Sequence, residues 1–103
     1  MNKIDLEFRK RKEIHVQPSG LWYVMPLDLA IEYVQTCKKE QIEILGIEGF
    51  YLHYPGIQPS MENSVDFSSH NYKIKSDIYT DAIEFLNARP NSMFFEVISQ
   101  NLD

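Results

Sequence analysis

The chain has 103 residues, of which 44% are hydrophobic and 13% aromatic, and its formal net charge is -5. We expect a single domain over 1–103, because smaller pieces could not bury a core without metals or disulfides. One cysteine, Cys37, excludes an internal disulfide, and no apolar run approaches the roughly 20 residues that span a bilayer. We therefore expect a cytoplasmic protein without a membrane contact.

The charge is unevenly distributed along the chain. Before Leu21 five Lys/Arg face three Asp/Glu, and from Leu21 onward five Lys/Arg face twelve Asp/Glu, which gives +2 and -7. An acidic body repels phosphate backbones, so we expect no nucleic-acid partner and mildly favour a basic protein partner. Solubility alone also accounts for a charge of this size.

The first part of the chain, 1–19, is predicted to be an N-terminal strand or arm. Ile4, Leu6 and Phe8 alternate with charged residues, which is typical of a short half-buried strand. The basic run from Arg9 to Lys12 then reads as a solvated edge rather than a phosphate or membrane contact. A Pro-Ser-Gly turn follows, and the α+β core is predicted to occupy 21–98.

The core begins with a predicted strand and helix. Leu21 to Met25 is a compact apolar and aromatic run, which indicates a strand. Pro26 favours a helix start, since its missing N–H costs nothing in the first turn. Apolar residues at three-four spacing, an aspartate near the start and lysines near the end predict that this helix runs to about Glu40.

The longest apolar run, Ile42 to Tyr54, predicts a central strand because both of its faces are apolar. Gly46 and Gly49 interrupt the run. Because glycine has no Cβ, each can take a bulge or let another backbone come close. We expect the strand to bend or break register near one of them.

The second half of the core follows a predicted turn at Pro55-Gly56. Ile57 to Ser64 is predicted to be a polar connection, and Val65 to Phe67 and Tyr72 to Ile74 are predicted strand fragments that return antiparallel to the central strand. Ser76 or Asp77 caps a second helix that Pro90 stops. The run from Met93 to Ile98 is the last predicted strand.

The order from Leu21 is strand, helix, strand, strand, helix, strand. This order predicts an α+β fold of the ferredoxin-like split βαβ type, with two helices on one face of an antiparallel sheet. Right-handed crossovers would place the first and third strands side by side at the centre. The N-terminal segment could add an edge strand.

No spacing in the sequence is typical of a catalytic or metal site. The three histidines are far apart, and none has a second ligand at a metal-binding distance along the chain. Asp77 and Asp81 stand one helical turn apart, which suits a helix start better than acid and base chemistry. We expect no catalytic residue, no metal and no cofactor.

The remaining candidate is a surface around the end of the central strand and the connection after it. Tyrosines there offer a large contact area at low entropic cost, which is typical of interface hot spots. An equally good interpretation is that most of these tyrosines cap the core. The predicted partner-binding residues are Tyr51, His53, Tyr54, Glu62, Asp66, His70 and Tyr72.

Four stretches of the sequence carry a resemblance to a known family: LGIEGFYL, IQPSMENSVDFSS, DAIEFLNARP and MFFEVI. Together they resemble the immunity protein forty family of small bacterial proteins encoded beside polymorphic toxins. The similarity runs from about Trp22 to Ile98 and lies in core patterns. It implies a non-enzymatic antitoxin that binds a cognate toxin domain, and an acidic inhibitor would suit a basic nuclease. It carries over no catalytic residue.

Two other classes stay open. A small ligand-binding or regulatory ferredoxin-like domain would have a pocket of several hundred cubic ångströms or more, and a co-purified small molecule. An enzyme whose residues meet only in the fold would show a strongly shifted pKa of a histidine or carboxylate in a cleft.

Overall fold

The structure is a computed structural model that describes residues 7–8, 24–53 and 56–100, with the side chains of residues 52 and 53 excepted. In these residues the two helices and the antiparallel sheet confirm the predicted α+β class. The elements in chain order are β1 (Met25–Pro26), α1 (Leu27–Glu40), β2 (Ile44–His53), β3 (Gly56–Asp66), α2 (Ile78–Asn87) and β4 (Phe94–Ser99).

The four strands lie in the order β1-β4-β2-β3, and each neighbouring pair is antiparallel. β1 and β2 are therefore parallel with β4 between them, and β3 and β4 are parallel with β2 between them, as in a split βαβ arrangement. The predicted strand order is wrong: the first and third strands are not at the centre. β3 pairs with β2 at one edge of this sheet, and β4 pairs with β2 on the other side.

Helix α1 follows its prediction closely. Pro26 is the N-cap, so it stands one residue before the helix rather than within its first turn. Gln41 ends the helix in the left-handed region with φ 58°, and its N–H donates to the carbonyl of Lys38 at 3.2 Å. The buried face of α1 consists of Ala30, Tyr33, Val34 and Cys37.

Helix α2 begins as its sequence predicts. The side chain of Asp77, the N-cap, accepts a hydrogen bond from the N–H of Thr80 at 2.8 Å. The helix ends at Asn87, ahead of Pro90. The helices contact each other, and the buried hydrophobic residues of both belong to the same core as Ile44 and Ile47 of β2.

Both glycines of β2 mark a break in register, which confirms the prediction for this strand. Between Ile44 and Gly46 the pairing with β4 slips by one residue, so Ile44 and Ile47 both reach the core, at 0% and 1% exposed. Between Ile47 and Gly49 the pairing with β3 shifts as well. A Cβ at Gly46 would lie 2.8 Å from the carbonyl oxygen of Val65, closer than real side chains come.

Strand β3 contradicts the prediction of a polar connection from Ile57 to Ser64. These residues belong to one edge strand that pairs with β2. An edge strand needs no strict apolar alternation, and it accommodates Pro59 because one row of its backbone groups has no ladder partner. The predicted strand fragment from Tyr72 to Ile74 is also wrong, since these residues lie in the loop before α2.

The N-terminal strand prediction can be compared at two positions only. Glu7 and Phe8 are helical, so the prediction is wrong for them. Phe8 is 1% exposed and its ring packs edge-on against Tyr33 of α1, with centroids 5.1 Å apart. Phe8 is therefore buried against helix α1 instead of lying in the predicted edge strand. The rest of 1–19, and Leu21 to Tyr23, lie outside the described residues.

Candidate functional site

Residues 61–64 leave the regular ladder of β3, and we call them the β3 bulge. Ile47 pairs with Val65 and Gly49 pairs with Ser60, so Glu48 alone stands opposite four residues of β3. A regular antiparallel ladder sets one residue opposite one. The surplus chain protrudes from the ladder, and bulges of this kind re-aim side chains at functional sites.

The β3 bulge folds over β2 at Gly49. A Cβ on this residue would collide with the carbonyl oxygen of Asn63, so only glycine admits the bulge in this position. The Gly49 N–H donates to Oγ of Ser64 at 3.0 Å, and that hydroxyl donates to the carbonyl of Ser60 at 2.7 Å. These bonds replace the ladder bonds that the register shift removes.

Asn63 joins the β3 bulge to its surroundings. Its Nδ2 donates to Oγ of Ser60 at 2.9 Å and to the phenolic oxygen of Tyr51 at 3.1 Å. Its Oδ1 accepts a hydrogen bond from Nη1 of Arg89 at 3.1 Å, and the same nitrogen lies 3.3 Å from the carbonyl oxygen of Glu62. The bulge is thus fixed to β2 on one side and to the end of α2 on the other.

Arg89 is itself held by its neighbours. Its guanidinium carbon lies 4.4 Å from the ring centroid of Phe85, within the range of a cation–π interaction. Its Nε is buried and has no hydrogen-bond partner within the described ranges. Arg89 therefore serves as a fixed support beneath the bulge rather than as a mobile surface charge.

The β3 bulge exposes a large apolar side chain although its backbone is fixed. Met61 is 87% exposed, while Met25 and Met93 lie in the core at 0% and 1%. Tyr51 beside the bulge is 42% exposed, and Glu62 is exposed. The arrangement presents one apolar, one aromatic and one acidic side chain on a support that folding has already ordered.

The structure brings two of the predicted partner-binding residues together at the bulge. Tyr51 accepts its hydrogen bond from Asn63, and Glu62 is the bulge residue whose carbonyl meets Arg89. The backbone of His53 pairs with Gly56 at the end of the hairpin. The His53 side chain and Tyr54 fall outside what the structure describes.

Asp66 and His70 lie apart from the bulge. Asp66 pairs with Gly46, five residues and therefore roughly 17 Å along β2 from Tyr51, on the opposite face of the sheet. Its Oδ1 accepts from the hydroxyl of Ser68 at 2.6 Å and from the Ser68 N–H at 3.0 Å. These two hydrogen bonds hold the pKa of Asp66 below its ordinary value. His70 is exposed in the turn that follows.

Tyr72 belongs to a second polar group, centred on the buried carboxylate of Asp81, which is 4% exposed. Asp81 accepts hydrogen bonds from the Lys75 N–H at 2.9 Å, the Tyr72 hydroxyl at 2.8 Å and the Ser76 hydroxyl at 3.2 Å. The bond from the Lys75 backbone is the main cause that lowers the pKa of Asp81. The Tyr72 ring also packs edge-on against Phe67, with centroids 4.9 Å apart.

The environment of Tyr72 also changes its acidity. Burial, followed by the hydrogen bond to Asp81, raises the pKa of Tyr72 to about 12. The Asp81 carboxylate stays ionised and the phenol stays neutral over the ordinary pH range. The pair therefore fixes the loop before α2, and its two pKa shifts follow from a structural hydrogen bond.

Three open grooves lined by described residues have volumes between about 310 and 370 Å³. The groove of about 340 Å³, which we call the α2 groove, lies between α2, β3 and the loop before α2. Its size is at the low end of small-molecule sites. Its lining residues are Val65, Tyr72, Lys75, Asp81, Glu84, Phe85, Ala88 and Arg89.

The described part of the chain has neither a cluster of metal ligands nor a helix that could cross a membrane. It contains no group of three or more His, Cys, Asp or Glu side chains that could hold a metal ion. Neither α1 nor α2 has the length and hydropathy needed to cross a membrane. Among known proteins, no family model and no curated sequence matches this chain.

The sequence alone did not identify Met61, Asn63 or Arg89 as parts of this site. Met61 stands alone in a polar stretch, and Arg89 looks like an ordinary residue at a helix end. One signal did point to the place, because Gly49 predicted a bulge or a close backbone approach. What it could not show is which segment would fill the space above that glycine.

Proposed function

We propose that this chain is an immunity protein, which binds a cognate bacterial toxin domain and neutralises it. The observation that carries the proposal is the β3 bulge, where Met61 and Tyr51 are exposed on a hydrogen-bonded support. Methionine and tyrosine are enriched in protein interfaces. A support ordered before binding also reduces the entropy lost on association, which favours high affinity.

The charge of the molecule supports a basic partner. Glu62, Asp66 and Glu84 are all exposed on or near the hairpin and α2. Acidic side chains speed the approach of a basic protein and oppose the approach of other acidic molecules. A toxin that acts on nucleic acid carries a basic substrate channel, so carboxylates of the inhibitor could occupy the path of the phosphates. A nuclease is accordingly the toxin class that we favour.

The resemblance of the four sequence stretches to the immunity protein forty family points to the same function. In this proposal the protein acts in the cytoplasm, has no catalytic residue and needs no cofactor. It prevents the toxin from acting by covering its active site or blocking the access of substrate. Inhibition then depends on the stability of one protein–protein complex.

The direct test is binding and rescue with the C-terminal domain of the protein encoded immediately upstream. We expect calorimetry to give a nanomolar dissociation constant, which corresponds to about -12 kcal/mol. Co-expression should restore the growth of bacteria that produce the toxin domain. A toxin domain from an unrelated system serves as the control. The proposal fails if the cognate domain gives neither a heat of binding nor growth rescue.

A second candidate function is a small ligand-binding or regulatory domain, and the α2 groove is the observation that favours it. Its volume of about 340 Å³ would hold a small molecule beside the charged side chains of Lys75 and Glu84. Native mass spectrometry of the purified protein tests this function. A stoichiometric co-purified molecule that is lost on Glu84→Ala would support it, and a bare mass with toxin binding would exclude it.

A further inference from the structure

We infer that the toxin domain receives Met61 in an apolar pocket whose rim carries cationic side chains. This inference rests on the proposed function and names the surface and the partner chemistry for it. It depends on four observations, which concern the exposure of Met61, the order of the β3 bulge, the edge of β3 and the position of Glu62.

Among the described residues, Met61 is the exposed apolar side chain with the most surface to lose on binding. It is 87% exposed, whereas Tyr51, Ile74 and Ile98 are between 41% and 49% exposed. An unbranched thioether side chain adapts to the shape of an apolar pocket and favours contact with aromatic rings. Burying Met61 therefore removes more apolar area from water than burying any one of the other three side chains would.

The backbone on either side of Met61 is already in place before binding. Ser60 accepts from Asn63 through its hydroxyl, and the carbonyl of Glu62 accepts from Arg89. The cost of ordering a loop on association is therefore largely absent. Met61 can act as an anchor because the backbone that carries it is already held in one conformation before binding.

The edge of β3 does not offer a continuous template for a partner strand. Pro59 lacks an N–H, and the β3 bulge interrupts the ladder after Ser60. Both features block edge-to-edge pairing. A partner at this edge is consequently recognised by side chains, and a protruding side chain calls for a recess in the partner.

The charge beside Met61 defines the rim of that recess. Glu62 is exposed, while its backbone carbonyl is fixed by Arg89. The guanidinium of Arg89 contacts the Glu62 carbonyl, the Asn63 side chain and the ring of Phe85, and none of these described contacts is with the Glu62 carboxylate. Lysine or arginine side chains around the recess would complement this arrangement.

The experiment is calorimetry and growth rescue with the upstream toxin domain and a series of Met61 variants. Met61→Leu should bind within about threefold of the parent, and Met61→Ala should bind about 10- to 100-fold more weakly. Met61→Lys should lose more affinity than Met61→Glu, because a cationic rim repels the lysine. Glu62→Lys should slow association and weaken its dependence on salt.

Ile98→Ala is the matched control. Ile98 is also exposed and apolar, at 41%, but it pairs with Gly46 on the central strands away from the bulge. Thermal melting checks that each variant is folded, which the exposure of Met61 makes the expected result. Full affinity of the control together with loss in Met61→Ala supports the inference.

The possible failures are distinguishable. If the parent protein neither binds nor rescues, the proposed function is wrong and the surface assignment falls with it. If the parent binds while Met61→Ala and Met61→Lys bind equally well, the assignment alone is wrong. A larger loss for Met61→Glu than for Met61→Lys would overturn the cationic rim, and a loss only in Ile98→Ala would move the interface to the central strands.

Discussion

Two polar networks join β3 and its flanking loop to α2. Both consist of hydrogen bonds, but they differ in the sequence separation of the bonded residues and in what lies exposed beside them. The Asp81 network (Tyr72, Lys75, Ser76 and Asp81) links residues at most nine positions apart and buries its charged centre. The Asn63 network (Tyr51, Ser60, Asn63 and Arg89) links residues up to 26 positions apart, and beside it Met61 faces solvent.

Under the proposed function, this difference assigns stability to one network and recognition to the other. Asp81 accepts three hydrogen bonds from one local loop, so its network stabilises the start of α2 around a buried charged centre. Asn63 connects two strands and a helix end, so its network fixes the position of a segment that carries exposed side chains. Substitutions in the first should change folding, and substitutions in the second should change binding.

The largest effect should come from Gly49→Ala, which places a Cβ against the carbonyl of Asn63. The β3 bulge must then move, and overpacking of this kind lowers the free energy of unfolding by about 1–3 kcal/mol. Urea denaturation measures the loss, and toxin binding should weaken in the same variant.

Gly46→Ala is the control for that experiment. Its Cβ would press on the carbonyl of Val65 instead, so it should destabilise the protein without moving the bulge. Equal stability of Gly49→Ala and the parent would mean that the bulge is not packed on Gly49.

Asp81→Asn should produce the second effect, a lower melting temperature with unchanged toxin affinity. The amide can no longer accept all the bonds that the two carboxylate oxygens accept. Since the pKa of Asp81 is lowered in the fold, its stabilisation is present above the ordinary pKa of about 3.8 and is lost as pH falls through the lower folded value.

Thermal melts across the acid range check this prediction. Asp66 and Asp77 also have lowered pKa values, so the parent loses stability to acid through several groups. The Asp81→Asn variant should lose less stability than the parent over the same drop in pH. An identical acid dependence would contradict the assigned role of Asp81.

Asn63→Ala should show the opposite pattern and sharpen the comparison. Its bonds are partly exposed, so the free energy of unfolding should fall by only about 1 kcal/mol. Toxin affinity should fall more than the loss of stability alone would explain, because Met61 is no longer held in one position. Calorimetry and urea denaturation on the same sample separate the two. A variant that keeps full affinity would show that the order of the bulge is irrelevant to binding.

The smallest effects distinguish the two tyrosines. Tyr72→Phe should cost about 0.5–1.5 kcal/mol through the lost bond to Asp81, and Tyr51→Phe should cost less because its hydroxyl is exposed. The raised pKa of Tyr72, about 12 against an ordinary 10, means that its contribution is complete below pH 10 and declines as pH rises towards 12. Tyrosinate absorbance during alkaline unfolding checks this. Tyr72→Phe should remove part of the alkaline loss.

Much of this fold could be predicted from the sequence where local pattern decides the outcome. The spacing of apolar residues predicted α1 and α2, and of the two predicted caps, Ser76 and Asp77, the structure has Asp77. A break in register was predicted near one glycine of β2, and the structure has one at each. These features depend on residues close together in the chain, so a single sequence carries them.

The strand order and β3 depend on non-local contacts and were missed. The rule of right-handed crossovers predicted the first and third strands side by side at the centre, whereas the structure places β4 between β1 and β2. Ile57 to Ser64 looked like a loop because Pro59 and its polar neighbours lack strand periodicity. The segment becomes a strand because its residues 57–60 pair with β2, which is a non-local contact.

The candidate site was predictable only in part for the same reason. Tyr51 and Glu62 were expected at a partner surface, and the structure places both at the β3 bulge. Asn63 and Arg89 could not be linked, because 26 residues separate them and only the packing of α2 beside β3 brings them within 3.1 Å. Their role exists only in the folded chain.

The strand pairing on either side of the β3 bulge does not depend on the type of the residues that the bulge exposes. Ser60 and Val65 pair with β2 before and after it, so the sheet is already complete without residues 61 and 62. Substitutions at residues 61 and 62 change the exposed surface of the β3 bulge. They leave in place the hydrogen bonds of Asn63 and Ser64 that anchor it. Under the proposed function, substitutions at residues 61 and 62 would change which partner is recognised, while the paired strands on either side stay the same.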